Sequence, residues 1–94
     1  MLLNYFFSNS CVQRLPIAFA EPNLPPGLTE ITLRVVGSDR KHQVICERID
    51  RVAKINRGWR EFVSTNMLVK KSYVEFIVSK NDANEWYVVL HDYK

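Results

Sequence analysis

Two short segments alternate apolar and polar residues with a period of two, which commits much of this chain to β-strand. At residues 29–36, Ile31, Leu33 and Val35 fall on one side, with Thr32 and Arg34 on the other. At 72–78, Val74, Phe76 and Val78 oppose Tyr73, Glu75 and Ile77, and 86–91 (WYVVLH) reads as the last strand. β-Branched and aromatic side chains in that rhythm fit a pleated, half-buried surface. Turn residues follow the first segment (Gly37, Ser38, Asp39, Arg40) and precede the last (Asn81, Asp82, Ala83, Asn84). Residues 43–49 (QVICERI) lie where an antiparallel partner of the first segment would begin, after a loop of about five residues. Two hairpins are therefore expected.

The remaining segments are shorter. Residues 2–7 form an apolar run whose length favours a strand, ending at the polar Ser8, Asn9 and Ser10. Pro16, after Arg14 and Leu15, suits an edge strand or a helix start. Residues 18–21 have room for barely more than one helical turn before Pro22. Pro22, Pro25, Pro26 and Gly27 make 21–27 the clearest loop.

Residues 49–66 read two ways. Ile49, Val52, Ala53, Asn56, Trp59, Phe62 and Val63 fall at helical spacing, and alone they predict a long basic amphipathic helix. Gly58 would cost such a helix about 1 kcal/mol. A shorter helix from Gly58 to about Asn66, preceded by a turn and a short strand over 50–56, avoids that cost and is favoured. The sum is six or seven closely spaced strands with two small helices, as in a barrel or sandwich with helical plugs.

With 94 residues the chain is read as a single domain, 1–94. A hydrophobic fraction of 47% with 24% charged residues argues against disorder. Net charge is +3, and the excess is confined to the second half. Within 48–60 stand Arg48, Arg51, Lys54, Arg57 and Arg60 against the lone acid Asp50. Such a run serves either as a solvated face or as a phosphate-neutralising cluster.

Cys11 and Cys46, without a secretory signal, read as reduced thiols that are buried or inert. No stretch approaches the roughly 18 apolar residues of a membrane span. His42 and His91 lack partners at metal-ligand spacing, and Cys46, four residues after His42, does not complete a zinc site. With no phosphate loop or nucleophile elbow either, the chain is read as a non-enzyme needing no cofactor and no metal. The aromatic residues alternate with polar ones on strands or share a helix face, so core packing explains them better than a base-stacking platform.

Several segments, in order, resemble the plant B3 DNA-binding domain, especially its reproductive-meristem branch. Residues 14–21 (RLPIAFAE) are similar to its R-L-x-I-P-x-x-F-A-E segment, and 58–63 (GWREFV) to G-W-x-x-F-V. Residues 68–77 (LVKKSYVEFI) are similar to L-x-x-G-D-x-V-x-F-x-L, and 86–90 (WYVVL) to the final F-x-V-x-I strand. The resemblance spans roughly residues 5–92. It implies a mainly β, seven-stranded open β-barrel (pseudobarrel) with two short α-helices, and it supports the division at Gly58.

It also implies a function: double-stranded DNA bound by two arms entering the major groove, in a nuclear transcriptional regulator. The arms correspond to residues 8–14 and 47–57. On this basis Arg48, Arg51, Lys54 and Arg57 would neutralise phosphates or fork onto guanine. Asn9, Gln13 and Asn56 would pair with adenine, Ser8 and Ser10 would contact phosphate, and Arg14 would touch DNA or serve a structural ion pair. The arms are short, and Lys71-Ser72 replaces the usual G-D turn, so weak or no sequence specificity is expected. The alternative is a degenerate domain of the same fold used in protein–protein interaction. A small-molecule substrate and a membrane partner are not expected, and protein partners would be engaged through additional domains.

Overall fold

A computed structural model describes residues 2–6, 13–66 and 72–92. The expected Ser8, Asn9 and Ser10 contacts, and Cys11, lie outside these residues. The element order is β1 (Leu2–Phe6), β2 (Gln13–Leu15), α1 (Ile17–Asn23), β3 (Gly27–Val35), β4 (Lys41–Ile49), β5 (Val52–Ile55), α2 (Trp59–Thr65), β6 (Ser72–Val78) and β7 (Glu85–Asp92). The strands form one seven-stranded sheet in the order β1-β6-β7-β3-β4-β5-β2. Neighbours are antiparallel except β3 and β7, which run parallel from Thr32↔Glu85 to Val35↔Val88. β1 and β2 stand at the two ends of this order, and the barrel is open between them.

Alternation selects the inner face. Ile31, Leu33 and Val35 of β3, Val44 and Cys46 of β4, Ala53 and Ile55 of β5, Val74 and Phe76 of β6, and Trp86 and Val88 of β7 are all buried. Both helices plug this interior. Phe19 of α1 meets the Trp86 ring edge-on at 5.1 Å, and Trp59 of α2 stacks on Phe62 at 5.2 Å. Phe76 touches both groups, 6.5 Å from Phe19 and 6.4 Å from Trp59. These rings fill the core, as their spacing predicts. Burial pushes the Cys46 thiol up to about 12, so it stays protonated at neutral pH.

The break at Gly58 has a steric cause. Its φ is +93°, and a Cβ there would lie 2.6 Å from the Gln43 carbonyl oxygen and 3.1 Å from the Val44 side chain. Only glycine lets the chain turn so close to β4 and begin α2 at Trp59. Arg40 Nη1 donates to the Thr65 carbonyl at 3.3 Å, tying the β3–β4 turn to the last turn of α2.

One expectation is corrected. The first helix runs through Pro22 to Asn23 instead of stopping before the proline, so the loop expected over 21–27 shrinks to 24–26. The ring removes only one helical N–H. Leu24 N–H still donates to Ala20 at 2.8 Å and Asn23 Nδ2 to Phe19 at 2.7 Å, which holds the last turn. Pro16 serves both of its expected roles, following edge strand β2 and capping α1.

Candidate nucleic-acid interface

The basic run at 48–60 does not form one surface. β4 and β5 make a tight hairpin whose turn is Asp50 and Arg51, with Asp50 at φ +53°. Aspartate enters this region more readily than most residues. The second arm is therefore a paired hairpin with a two-residue tip. Register then sorts the cations. Glu47 pairs with Lys54, Arg48 with Ala53 and Ile49 with Val52. Ala53 is buried, so Arg48 shares the inward face at the barrel mouth, while Glu47, Ile49, Val52 and Lys54 project outward.

Arg48 is spent on the fold. Its Nη1 donates to the Leu24 carbonyl at 2.8 Å and its Nε to the Asp50 carbonyl at 3.3 Å. It ties the segment after α1 to the base of the hairpin, which differs from the phosphate contact expected of it. Gln13 is also redirected. It is 4% exposed, and its Nε2 donates to the Arg14 carbonyl at 3.0 Å.

Other residues come together as sequence alone could not show. Arg14 lies directly opposite Lys54 across β2 and β5, and Lys54 opposite Glu47 across β5 and β4. This outward row reads Arg14, Lys54, Glu47, Leu28. Lys54 Nζ stands 3.5 Å from Glu47 Oε1. Arg14 is exposed and makes no ion pair among the described residues. Arg51 is exposed at the tip.

Arg57 and Asn56 sit at the other end of the hairpin. The Asn56 N–H donates to the Ile45 carbonyl at 2.8 Å, and the Ile45 N–H to the Arg57 carbonyl at 2.9 Å. Both border a hollow of about 500 Å³ with Leu28, Thr29, Glu30, Ile45 and Glu47.

β2 begins beside Ile55 and ends beside Ala53, so its first residue, Gln13, lies at the end of β5 away from the Asp50–Arg51 tip. At about 3.3 Å per residue, Arg51 and the start of β2 stand roughly 13 Å apart along the strands. Between these two points lies a short sheet edge that carries Arg14 and Lys54. Sequence reasoning put Ile49 in the 43–49 strand and Val52 in the short strand over 50–56 but assigned neither to the site; they are 61% and 44% exposed.

Among the described residues, no group of three His, Cys, Asp or Glu could hold a metal, and no helix is long and apolar enough to cross a membrane.

An open seven-stranded barrel plugged by two helices is a B3-type pseudobarrel, and solved structures match it. The structure of the hypothetical Arabidopsis thaliana protein At1g16640.1 aligns with a TM-score of 0.82 at 22% identity, covering 100% of this chain and 92% of that one. The Arabidopsis FUS3–DNA complex aligns with a TM-score of 0.75 at 12% identity, covering 98% of this chain and 97% of that one. The chain has the fold of plant B3 domains. No protein-family model and no curated protein sequence matches it.

Proposed function

We propose that the chain is one double-stranded DNA-binding module of a transcriptional regulator, acting in the nucleus without catalysis, cofactor or metal. The observation that carries this reading is the Arg14–Lys54 pair. Like charges directly opposite one another on a sheet are destabilising. Glu47 offsets one of them, and the second cation stands exposed with Arg51 close by at the tip. A polyanion relieves that repulsion. The FUS3 structure, which shares the fold, holds DNA, which supports the same partner for this chain.

The roughly 13 Å between Arg51 and the start of β2 suits a major groove about 12 Å wide, with an arm at each wall. Arg14, Arg51 and Lys54 neutralise phosphates, and Asn56 and Arg57 extend the contact at the far end of the hairpin. Ser8, Asn9 and Ser10 belong to the first arm in this reading. Backbone contacts dominate, so sequence preference is weak.

The test is fluorescence anisotropy with random-sequence duplexes at about 50 and 200 mM salt. With about four phosphate contacts, affinity falls roughly 10²-fold over that range. The combined Arg14→Ala, Arg51→Ala and Lys54→Ala variant loses most of both the affinity and the salt slope. Absence of binding at 50 mM salt rejects the reading. A second reading, protein–protein contact by the same fold, is favoured by the exposed Leu28, Ile49 and Val52. It predicts no DNA binding at any salt concentration.

A further inference from the structure

The tip of the β4–β5 hairpin carries an apolar pair that neither the core nor the phosphate contacts use. Ile49 and Val52 stand directly opposite each other and project outward, 61% and 44% exposed. The turn between them holds Asp50 and Arg51, both exposed. Beside the pair opens a shallow cavity of about 330 Å³, lined by Glu47, Ile49, Asp50, Val52 and Lys54. A cross-strand β-branched pair helps a hairpin form. It does not require that both side chains be left in water at the tip.

Charge around the pair identifies what covers it. Arg51 is in the turn, Lys54 stands two residues past Val52 on the same outward face, and Arg14 lies across from Lys54. The acids are Asp50 and Glu47, and Lys54 lies 3.5 Å from Glu47. An apolar pair set among three cations and two acids complements a polyanion. Two side chains also fall far short of the roughly 800 Å² per partner that a stable protein interface buries. In the major groove, the apolar group a base edge presents is the C5-methyl of thymine.

We propose that Ile49 and Val52 make a thymine-methyl contact in the major groove, an inference that rests on the DNA-binding reading above. The tip favours duplexes with thymine at the contacted step, while Arg51 and Lys54 hold the flanking phosphates. A chain with weak hydrogen-bond readout thereby gains a modest sequence bias from apolar contact.

The experiment compares two probes by anisotropy at about 50 mM salt, using the whole chain. One is an alternating A·T duplex; the other is the same duplex with deoxyuridine for every thymidine, which deletes only the methyl groups. Each lost methyl contact weakens binding by about fourfold. The salt slope is unchanged, because the phosphates are the same. The Ile49→Ser/Val52→Ser variant removes the side-chain methyl groups at both positions and binds the two probes equally.

If that variant melts early, Val52→Ser alone, which removes one of the two apolar side chains, narrows the preference. Equal affinity of the unaltered chain for both probes overturns the methyl contact and leaves DNA binding standing. Binding to neither probe overturns both readings. A thymidine preference that survives in the double variant overturns the assignment to Ile49 and Val52.

Discussion

The β4–β5 hairpin and helix α2 are separated only by residues 56–58, yet they use similar local composition for opposite ends. In α2, Trp59 and Phe62 are 0% exposed and close one end of the core, and the neighbouring Arg60 is exposed. In the hairpin the apolar Ile49 and Val52 face out, Arg51 and Lys54 flank them, and the cation at the inward position, Arg48, holds the fold. The difference teaches that a run of alternating arginine and apolar residues has no intrinsic inside. Which side is buried depends on what lies across from it.

The largest effect separates the two regions by stability. Trp59→Ala removes the ring that stacks on Phe62 and abuts Phe76, and should cost about 3–5 kcal/mol in urea denaturation. The triple arm variant at Arg14, Arg51 and Lys54 should leave the urea midpoint almost unchanged while DNA affinity collapses. If the arm variant unfolds the chain, the comparison breaks, because the hairpin would then be structural too.

Arg48→Ala tests the division inside the basic run. It loses the bonds to the Leu24 and Asp50 carbonyls, at a cost of about 1–2 kcal/mol, with little change in the salt slope of DNA binding. A slope reduced by a full phosphate contact would return Arg48 to the interface.

The smallest effect lies on the α2 side. His42 packs edge-on against Phe62 at 5.0 Å, and its Nε2 is 3.4 Å from Asn66 Nδ2. Burial, then the nearby Arg40 charge, holds its imidazole below the ordinary 6.5. The unfolded chain therefore takes up this proton first as pH falls. The stability is present above pH 6.5 and is lost as pH falls through the lowered folded value. Melting temperatures measured from pH 8 to 5 should drop on the acid side, and His42→Gln should flatten that part of the curve.

Much of the fold was legible because strand alternation is local. Ile31, Leu33 and Val35, or Val74 and Phe76, declare their buried side without reference to a partner. Helix α2 was legible through Gly58, Trp59 and Phe62. The candidate interface was legible only in part. The sequence placed cations in the second arm, yet it could not separate Arg48 from Arg51 and Lys54, nor see that Gln13 would be buried.

What the sequence determined by itself was the set of strands, the hairpin turns and the aromatic residues of the core, since backbone preference and side-chain period act over a few residues. Tertiary structure decided the parallel β3–β7 pairing, the outward turn of Ile49 and Val52, and the meeting of Arg14 with Lys54 across two strands. Each of these depends on register between distant segments. A shift of one residue would send every side chain of a strand to the other face, and only the wrapping of the sheet around its aromatic core fixes that choice.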